Sequence, residues 1–389
     1  MTAGTSKDAV KSALTTQSLE TPSWAYGNSG TRFKVFAQPG VPRTTREKID
    51  DAARVHAHTG VAPRVALHIP WDKVDDYTAL TAYAAERGLT LGAINANVFQ
   101  DDDYKLGSVT NPDPAVRRKA LDHLIECVDI MDTTGSRDLK LWFSDGTNYP
   151  GQDDIRTRQD RLSEALRTVY ERLGDDQRML VEYKFFEPAF YATDIPDWGT
   201  AYAHCLKLGP KAQVVVDTGH HAPGTNIEFI VATLLREDRL GGFDFNSRFY
   251  ADDDLMAGAA DPFQLFRIMY EVVRGGGLTG DIAFMLDQCH NIEAKIPAII
   301  RSVMNVQEAT AKALLVDADA LAEAQRTGDV LAANAALMDA FNTDVRPLLA
   351  EVREDSGLDP DPIGAYHRSG WQEQIVKDRV GGEQAGWGA

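Results

Sequence analysis

Apolar and polar positions along the chain follow two alternating patterns. Short runs rich in β-branched and aromatic residues are each followed by a longer segment in which apolar residues recur at helical spacing. This alternation is typical of repeated β–α units around a parallel sheet. We therefore predict eight strands, at residues 32–36, 64–68, 91–95, 138–143, 179–185, 213–217, 242–246 and 282–287.

The segments between the predicted strands have the periodicity of amphipathic helices. Asp113 and Asp261 each precede a proline, which predicts a helix N-cap followed by the first helical residue. The helical pattern is clearest at residues 45–58, 74–86, 114–131, 160–173 and 262–273.

The predicted strands favour a closed barrel. Residues 214–216 and 282–286 are apolar almost without alternation, as expected for strands that are covered on both faces. A doubly wound open sheet shows a similar alternation of elements, so the barrel prediction depends on the count of eight units. We expect an α/β protein with a (β/α)8 TIM barrel at residues 31–295, an N-terminal extension at 1–30 and a helical C-terminal extension at 296–389.

Composition narrows the classes of function. A chain of 389 residues with 43% hydrophobic composition can bury one large core. Its formal net charge of −18, without a Lys/Arg-rich stretch, would repel a phosphate backbone, so we expect no nucleic-acid partner. Neither a secretory signal nor a run of apolar residues long enough for a membrane span is present in the sequence. Cys127, Cys205 and Cys289 are far apart, so we expect reduced thiols in a cytoplasmic protein.

Chemically competent side chains follow the last four predicted strands. Catalytic groups of barrels lie at the carboxyl ends of the strands, and side chains alternate with period two along each strand. A buried carboxylate without a partner is costly, so four consecutive strands that each carry an acid indicate a bound counter-charge. The residues are Glu182 and Lys184 on the fifth strand, Asp217 and His220 on the sixth, Asp244, Asp252 and Asp254 on or after the seventh, and Asp287 on the eighth.

Each of these residues also has an ordinary structural interpretation. Glu182 and Asp217 could be salt-bridged core acids, His220 a hydrogen-bonded loop histidine, and the acids at 252–254 a helix N-cap cluster. Together they fit a metal site better. Oxygen-rich ligands with a single imidazole suit Mn²⁺, Co²⁺ or Mg²⁺, of which we expect manganese. No dinucleotide-binding or phosphate-loop motif supports nucleotide chemistry.

Six segments distributed over the predicted barrel carry a family resemblance. They are TPSWAYGNSGTRF, LHIPWDKVDDY, DLKLWFSDGTNYPGQDD, VEYKFFEPAFY, VVVDTGHHAPGTNIE and ADDDL. The last four strands add the order Glu-x-Lys, Asp-x-x-His, Asp, Asp-x-Asp, Asp. With these motifs the chain resembles the xylose-isomerase-like superfamily and, within it, the L-rhamnose isomerases.

The resemblance implies two divalent metal ions and a homotetramer. One departure concerns Asp244, because some bacterial rhamnose isomerases have histidine at this position, whereas xylose isomerases have aspartate. An oxygen ligand there adds negative charge and favours harder cations. The resemblance implies these ligand sets: Glu182, Asp217, Asp244 and Asp287 for a structural ion, and Asp217, His220, Asp252 and Asp254 for a catalytic ion.

The resemblance also implies that the protein interconverts L-rhamnose and L-rhamnulose. We expect a metal-assisted hydride shift between C1 and C2, in which Asp254 takes part as a catalytic residue. Lys184 would donate a hydrogen bond to O1, although it could instead pair with neighbouring carboxylates. His68, with its tautomer fixed by Asp72, would assist opening of the sugar ring.

Two tryptophans at strand ends complete the expected sugar site. Trp71 and Trp142 would pack on the apolar side of the sugar, with His220 as a further substrate contact; ordinary rim packing is the alternative for both tryptophans. Other functions stay open at this point. They are a related sugar isomerase or a ketose 3-epimerase of the same barrel type, and a metal-stabilised sugar-binding protein. An endonuclease for abasic DNA is disfavoured by the net charge of −18.

Overall fold

The computed structural model describes residues 6–31, 33–187, 191–289 and 291–380. Within these ranges, eight parallel strands pair in sequence order and close into a barrel, which confirms the predicted fold. The barrel strands are β1 (Glu20–Pro22), β2 (Arg64–Ile69), β3 (Thr90–Ala96), β4 (Asp138–Leu141), β5 (Arg178–Glu182), β6 (Ala212–Asp217), β7 (Leu240–Phe245) and β8 (Ala283–Leu286).

The first strand differs from the prediction. Arg32 lies outside the described residues, and Lys34–Phe36 is an exposed strand that pairs antiparallel with Ser29–Thr31 and is not part of the barrel. The barrel starts instead at β1, inside the segment 1–30 that we expected to be an extension. The sequence Glu-Thr-Pro has almost no β-strand pattern, whereas Lys-Val-Phe has one, and this explains the wrong prediction.

Helices surround the barrel and continue beyond it. Two short 3-10 helices, Ser23–Tyr26 and Asp102–Tyr104, and a small pairing of Gly146–Thr147 with Ala192–Thr193 lie in the loops. The α-helices of the described ranges are α1 (Lys7–Thr15), α2 (Thr45–Thr59), α3 (Tyr77–Ala85), α4 (Pro114–Thr134), α5 (Ile155–Arg172), α6 (Trp198–Leu208), α7 (Ile227–Arg236), α8 (Pro262–Arg274), α9 (Lys295–Leu314), α10 (Ala318–Thr327), α11 (Val330–Asn342), α12 (Arg346–Asp355), α13 (Pro362–Arg368) and α14 (Trp371–Asp378).

One helix follows each barrel strand, from α2 after β1 to α9 after β8. α9 packs against both α8 and α2, so the first helix of the segment expected to be a tail closes the outer ring. The predicted N-caps are confirmed: the carboxylates of Asp113 and Asp261 accept hydrogen bonds from backbone N–H groups at 2.8 and 2.9 Å. No helix in the described part of the chain is long and apolar enough to cross a membrane.

Alternation along the strands separates an apolar outer layer from a mixed interior. Leu139 of β4 packs in the main core between sheet and helices, whereas the next residue, Lys140, points into the barrel. Leu180, Val215 and Ala283 form a small apolar layer inside the barrel. The same inward face carries the acids at the carboxyl ends of β5 to β8.

Candidate active site

A pocket of about 350 Å³ opens at the carboxyl ends of the barrel strands. This volume is within the range of small-molecule sites. Ten of the twelve residues that the sequence indicated as site residues line the pocket. The other two, Asp72 and Asp217, are completely buried.

Four acids from four neighbouring strands converge at the base of the pocket. Glu182 ends β5, Asp217 ends β6, Asp244 lies in β7 and Asp287 follows β8. Each offers one carboxylate oxygen, and these oxygens all lie within 4.8 Å of one another. We call these four residues the acid group. They are the set predicted to hold the structural ion, and their metal binding stays a prediction.

His220 is oriented by the end of β5. Its Nδ1 lies 3.1 Å from the backbone oxygen of Tyr183 and 3.0 Å from Glu182 Oε1. Its Nε2 lies 3.2 Å from Asp252 Oδ2 and 4.0 Å from Asp217 Oδ2. A proton on Nδ1 would leave Nε2 free to bind a cation. Burial lowers the pKa of His220, but Asp217 and Asp252 raise it well above its ordinary value.

Asp252 and Asp254 come from the loop after β7. Asp252 Oδ1 is buried and has no hydrogen-bond partner within the described ranges. Asp254 is buried in left-handed backbone, with φ 47°. Among the described residues, Asp217 and His220 lie in a cluster of three possible metal ligands, whereas Asp252 and Asp254 do not. Only two of the four ligands predicted for the second ion are therefore clustered.

Acids outnumber the cationic side chains at the site, and a divalent cation would supply further positive charge. Burial, offset in part by His220, raises the pKa of Asp217 to about 8. Burial, offset in part by Lys140, raises the pKa of Asp244 to about 7. Crowded carboxylates, one imidazole and the unpartnered oxygen of Asp252 form a donor set that suits Mn²⁺, Co²⁺ or Mg²⁺.

Sequence reasoning missed Lys140. This lysine is the third residue of β4, between Leu139 and Leu141, and its ammonium donates a hydrogen bond to Asp244 across the barrel. Burial lowers the pKa of Lys140, but Asp244 and Glu20 raise it above its ordinary value. An inward-facing lysine two residues before Trp142 was the available signal, but its partner is distant in the sequence.

Lys184 pairs with neighbouring carboxylates, the structural alternative that the sequence left open, and a contact between Lys184 and the sugar stays a prediction. Its Nζ is 2.7 Å from Asp252 Oδ2 and 3.3 Å from Glu187 Oε2, and it lies 5.2 Å from the centre of the Trp142 ring. Burial lowers the pKa of Lys184, but Asp252 raises it above the ordinary value, so the ammonium keeps its charge.

Comparison with known proteins identifies the family. No protein-family model matches the chain. A probable sugar isomerase of Rhizobium meliloti is 43% identical over 380 residues, which cover 96% of this chain and 88% of the relative. A probable sugar isomerase of Mesorhizobium japonicum is 41% identical over 384 residues, which cover 97% and 89%. The chain belongs to this sugar isomerase family.

More distant relatives place the sugar isomerase family among the xylose-isomerase-like barrels. The xylose isomerase of Actinobacillus pleuropneumoniae (strain L20) is 24% identical over 368 residues, which cover 88% of this chain and 78% of the relative. The solved structure of D-psicose 3-epimerase with D-tagatose from Clostridium cellulolyticum H10 has a TM-score of 0.52 and 12% identity. That structure covers 77% of this chain and 97% of its own, and it shows a shared fold.

In this sugar isomerase, Asp72 contacts His68 differently from the prediction. The Asp72 carboxylate accepts hydrogen bonds from the backbone N–H of His68 at 2.8 Å and from Lys48 Nζ at 2.7 Å. It therefore holds the main chain, and the expectation that it fixes the imidazole tautomer was wrong. The His68 ring instead stacks on Trp71, with centroids 3.9 Å apart, and its buried Nδ1 has no hydrogen-bond partner in the described part of the chain.

Four aromatic side chains, which we call the aromatic wall, line the same pocket as the acids. They include the predicted Trp71 and Trp142, together with Trp24 and Phe99, which the prediction missed. Phe99 contacts both predicted tryptophans edge-to-face, and Trp24 Nε1 donates a hydrogen bond to Asp287 at 2.8 Å. Trp24 was overlooked because it lies just after β1, the strand that the prediction missed.

Proposed function

We propose that the protein is a metal-dependent aldose–ketose isomerase that interconverts L-rhamnose and L-rhamnulose. The proposal rests on the acid group, with His220 beside it, at the base of a pocket of about 350 Å³. Membership in a sugar isomerase family supports the reaction class. The aromatic wall supports a sugar with an apolar end, such as the C6 methyl group of a deoxysugar.

The proposal includes two divalent cations, with manganese as the first choice and cobalt or magnesium as alternatives. When bound, these cations would polarise the sugar oxygens as Lewis acids and so assist a hydride shift between C1 and C2. The proposed ligands are Glu182, Asp217, Asp244 and Asp287 for one ion, and Asp217, His220, Asp252 and Asp254 for the other.

The protein's own side chains bind and orient the sugar. Lys184, held by Asp252, would donate a hydrogen bond to O1 and stabilise negative charge there. Burial lowers the pKa of His68 well below its ordinary value, so the imidazole stays neutral. It can then move a proton between the anomeric hydroxyl and the ring oxygen. The aromatic wall would exclude water from the reacting carbons.

A panel of aldoses assayed with Mn²⁺, Co²⁺ and Mg²⁺ tests the proposal. We expect the fastest ketose formation from L-rhamnose with Mn²⁺, and no turnover in EDTA. Full activity after exhaustive chelation would contradict the metal dependence. A product epimeric at C3 would indicate a ketose 3-epimerase, and sugar binding without turnover would indicate a binding protein.

We also propose a homotetramer in the cytoplasm. The family resemblance supports the tetramer. The thiols of Cys127, Cys205 and Cys289 are buried and unpaired, which supports a reducing compartment. Analytical ultracentrifugation should give four times the mass of the chain, and a monomer at micromolar concentration would contradict the tetramer.

A further inference from the structure

Lys140 reaches the acid group from across the barrel. It lies in β4, and its Nζ donates a hydrogen bond to Asp244 Oδ1 in β7, a strand that is not a neighbour of β4. The same Nζ lies 3.5 Å from Met285 Sδ. The side chains of Lys140 and Asp244 are each 1% exposed, so solvent does not screen the pair.

The other members of the acid group have different partners. Asp217 accepts hydrogen bonds from amide N–H groups and Asp287 from an indole N–H, at 2.6 to 3.2 Å. Glu182 lies 3.0 Å from an imidazole that is itself a proposed ligand. Among these four acids, Asp244 is the one that the described structure pairs with an ammonium group.

The position of this ammonium group has opposite consequences for two states of the protein. Four buried carboxylates repel one another, and a paired cation reduces that repulsion when no metal is bound. A divalent cation at the acid group would meet the positive charge of Lys140 within the same buried space, where charges interact strongly. One residue therefore favours the metal-free protein and disfavours the metal-bound protein.

We infer that Lys140 is a built-in counter-charge that weakens divalent-cation binding at the acid group and stabilises the metal-free protein. The inference rests on the proposed function, because that proposal places an ion at this group. Lys140 acts through Asp244 and is therefore a positioning residue. Its charge, more than its hydrogen bond, sets the affinity.

Two neutral variants separate charge from hydrogen bonding. Lys140→Met removes both, whereas Lys140→Gln removes the charge and keeps an N–H donor for Asp244. We expect both variants, stripped of metal, to bind Mn²⁺ at least about tenfold more tightly than the wild type in titration calorimetry. Both should also unfold at a lower temperature in EDTA. Wild-type affinity in Lys140→Gln would overturn the inference.

A double variant checks the origin of the effect. Lys140→Met combined with Asp244→Asn removes both charges of the pair, so its unfolding temperature in EDTA should recover toward the wild-type value. No recovery would overturn the inference. A Lys140→Met protein that folds only when Mn²⁺ is present would support it. Wild-type protein that binds no Mn²⁺ would contradict the proposed function, whereas wild-type binding that neither neutral variant changes would overturn only the role of Lys140.

Discussion

The two ends of the barrel differ in how completely their buried acids are paired. At the amino end, Arg178 donates hydrogen bonds to both carboxylate oxygens of Asp138, at 2.8 and 3.0 Å. At the carboxyl end, burial raises the pKa of Asp217 to about 8, and Asp252 Oδ1 has no hydrogen-bond partner within the described residues. A buried ion pair is costly to break, whereas crowded like charges cost stability and are kept where a ligand compensates them.

The contrast appears within single strands. β5 begins with the paired Arg178 and ends, four residues later, with Glu182 of the acid group. β4 begins with Asp138, the partner of that arginine, and carries Lys140 two residues further. Because strand side chains alternate with period two, the same inward face carries the Arg178–Asp138 ion pair at one end and the acid group at the other.

Asp217→Asn should have the largest effect on function. The variant keeps the size of the side chain but removes a carboxylate that both proposed ions would share. We expect isomerase activity to fall by at least about 1,000-fold. We also expect a higher unfolding temperature in EDTA, because the folded protein no longer buries this acid, whose pKa burial raises to about 8. Ketose formation with Mn²⁺ and thermal unfolding measure the two effects, and an active variant would refute the proposed ligand.

Arg178→Met should have the largest effect on stability. It leaves Asp138 buried without its partner, which typically costs about 3–5 kcal/mol of unfolding free energy. Denaturant unfolding measures the loss, and Arg178→Met with Asp138→Asn should regain part of it. Calorimetry should show unchanged Mn²⁺ affinity in the single variant. A large change in affinity would mean that the two ends are not independent.

The sequence could predict features that depend on local patterns, but not those that depend on contacts between distant residues. Seven of the eight barrel strands and the acids that follow them were predictable, because apolar runs and period-two alternation are local signals. β1 was not, since a three-residue strand with Glu and Pro has no such pattern. Partners distant in the chain were also not predictable: Lys140 and Asp244 are 104 residues apart. Asp72 was placed near His68 correctly, but the atom that it contacts depends on the turn between them.

The pH dependence of the metal-free protein should distinguish the two ends further. In the folded protein the pKa of Asp217 is raised to about 8 and that of Asp244 to about 7, from an ordinary value of 3.8. The unfolded chain therefore releases these protons at lower pH than the folded protein does. Between the ordinary and the raised values, stability should fall as pH rises, by about 1.4 kcal/mol per pH unit for each proton.

Denaturant unfolding at pH 5, 6 and 7 in EDTA measures this slope. Asp217→Asn should reduce it, and saturating Mn²⁺ should remove it in the wild type, because the bound cation keeps the carboxylates ionised in the folded state. The same slope in the wild type and in Asp217→Asn would show that Asp217 does not carry the effect.

Arg158→Met should have the smallest effect on catalysis, and that effect should be confined to substrate binding. Arg158, at the start of α5, is 2% exposed and joins loops at the carboxyl end. It donates hydrogen bonds to Asp194 Oδ2 and Asp153 Oδ2 at 2.8 Å and to Thr110 Oγ1 at 2.7 Å. These loops follow β3, β4 and β5. Their first few residues include Phe99 and Trp142 of the aromatic wall and Lys184, which line the pocket. We expect KM for the aldose to rise about tenfold, with little change in kcat or Mn²⁺ affinity.

Arg178→Met is the matched control for this variant. Arg158 and Arg178 are both buried, and each makes a bidentate ion pair with an aspartate, but at opposite ends of the barrel. If loss of stability alone raised KM, both variants would show the same increase at a temperature where both are folded. We expect an unchanged KM in Arg178→Met, because its ion pair joins the starts of β4 and β5, at the end of the barrel away from the pocket. Equal increases in both variants would remove the functional distinction between the two ends.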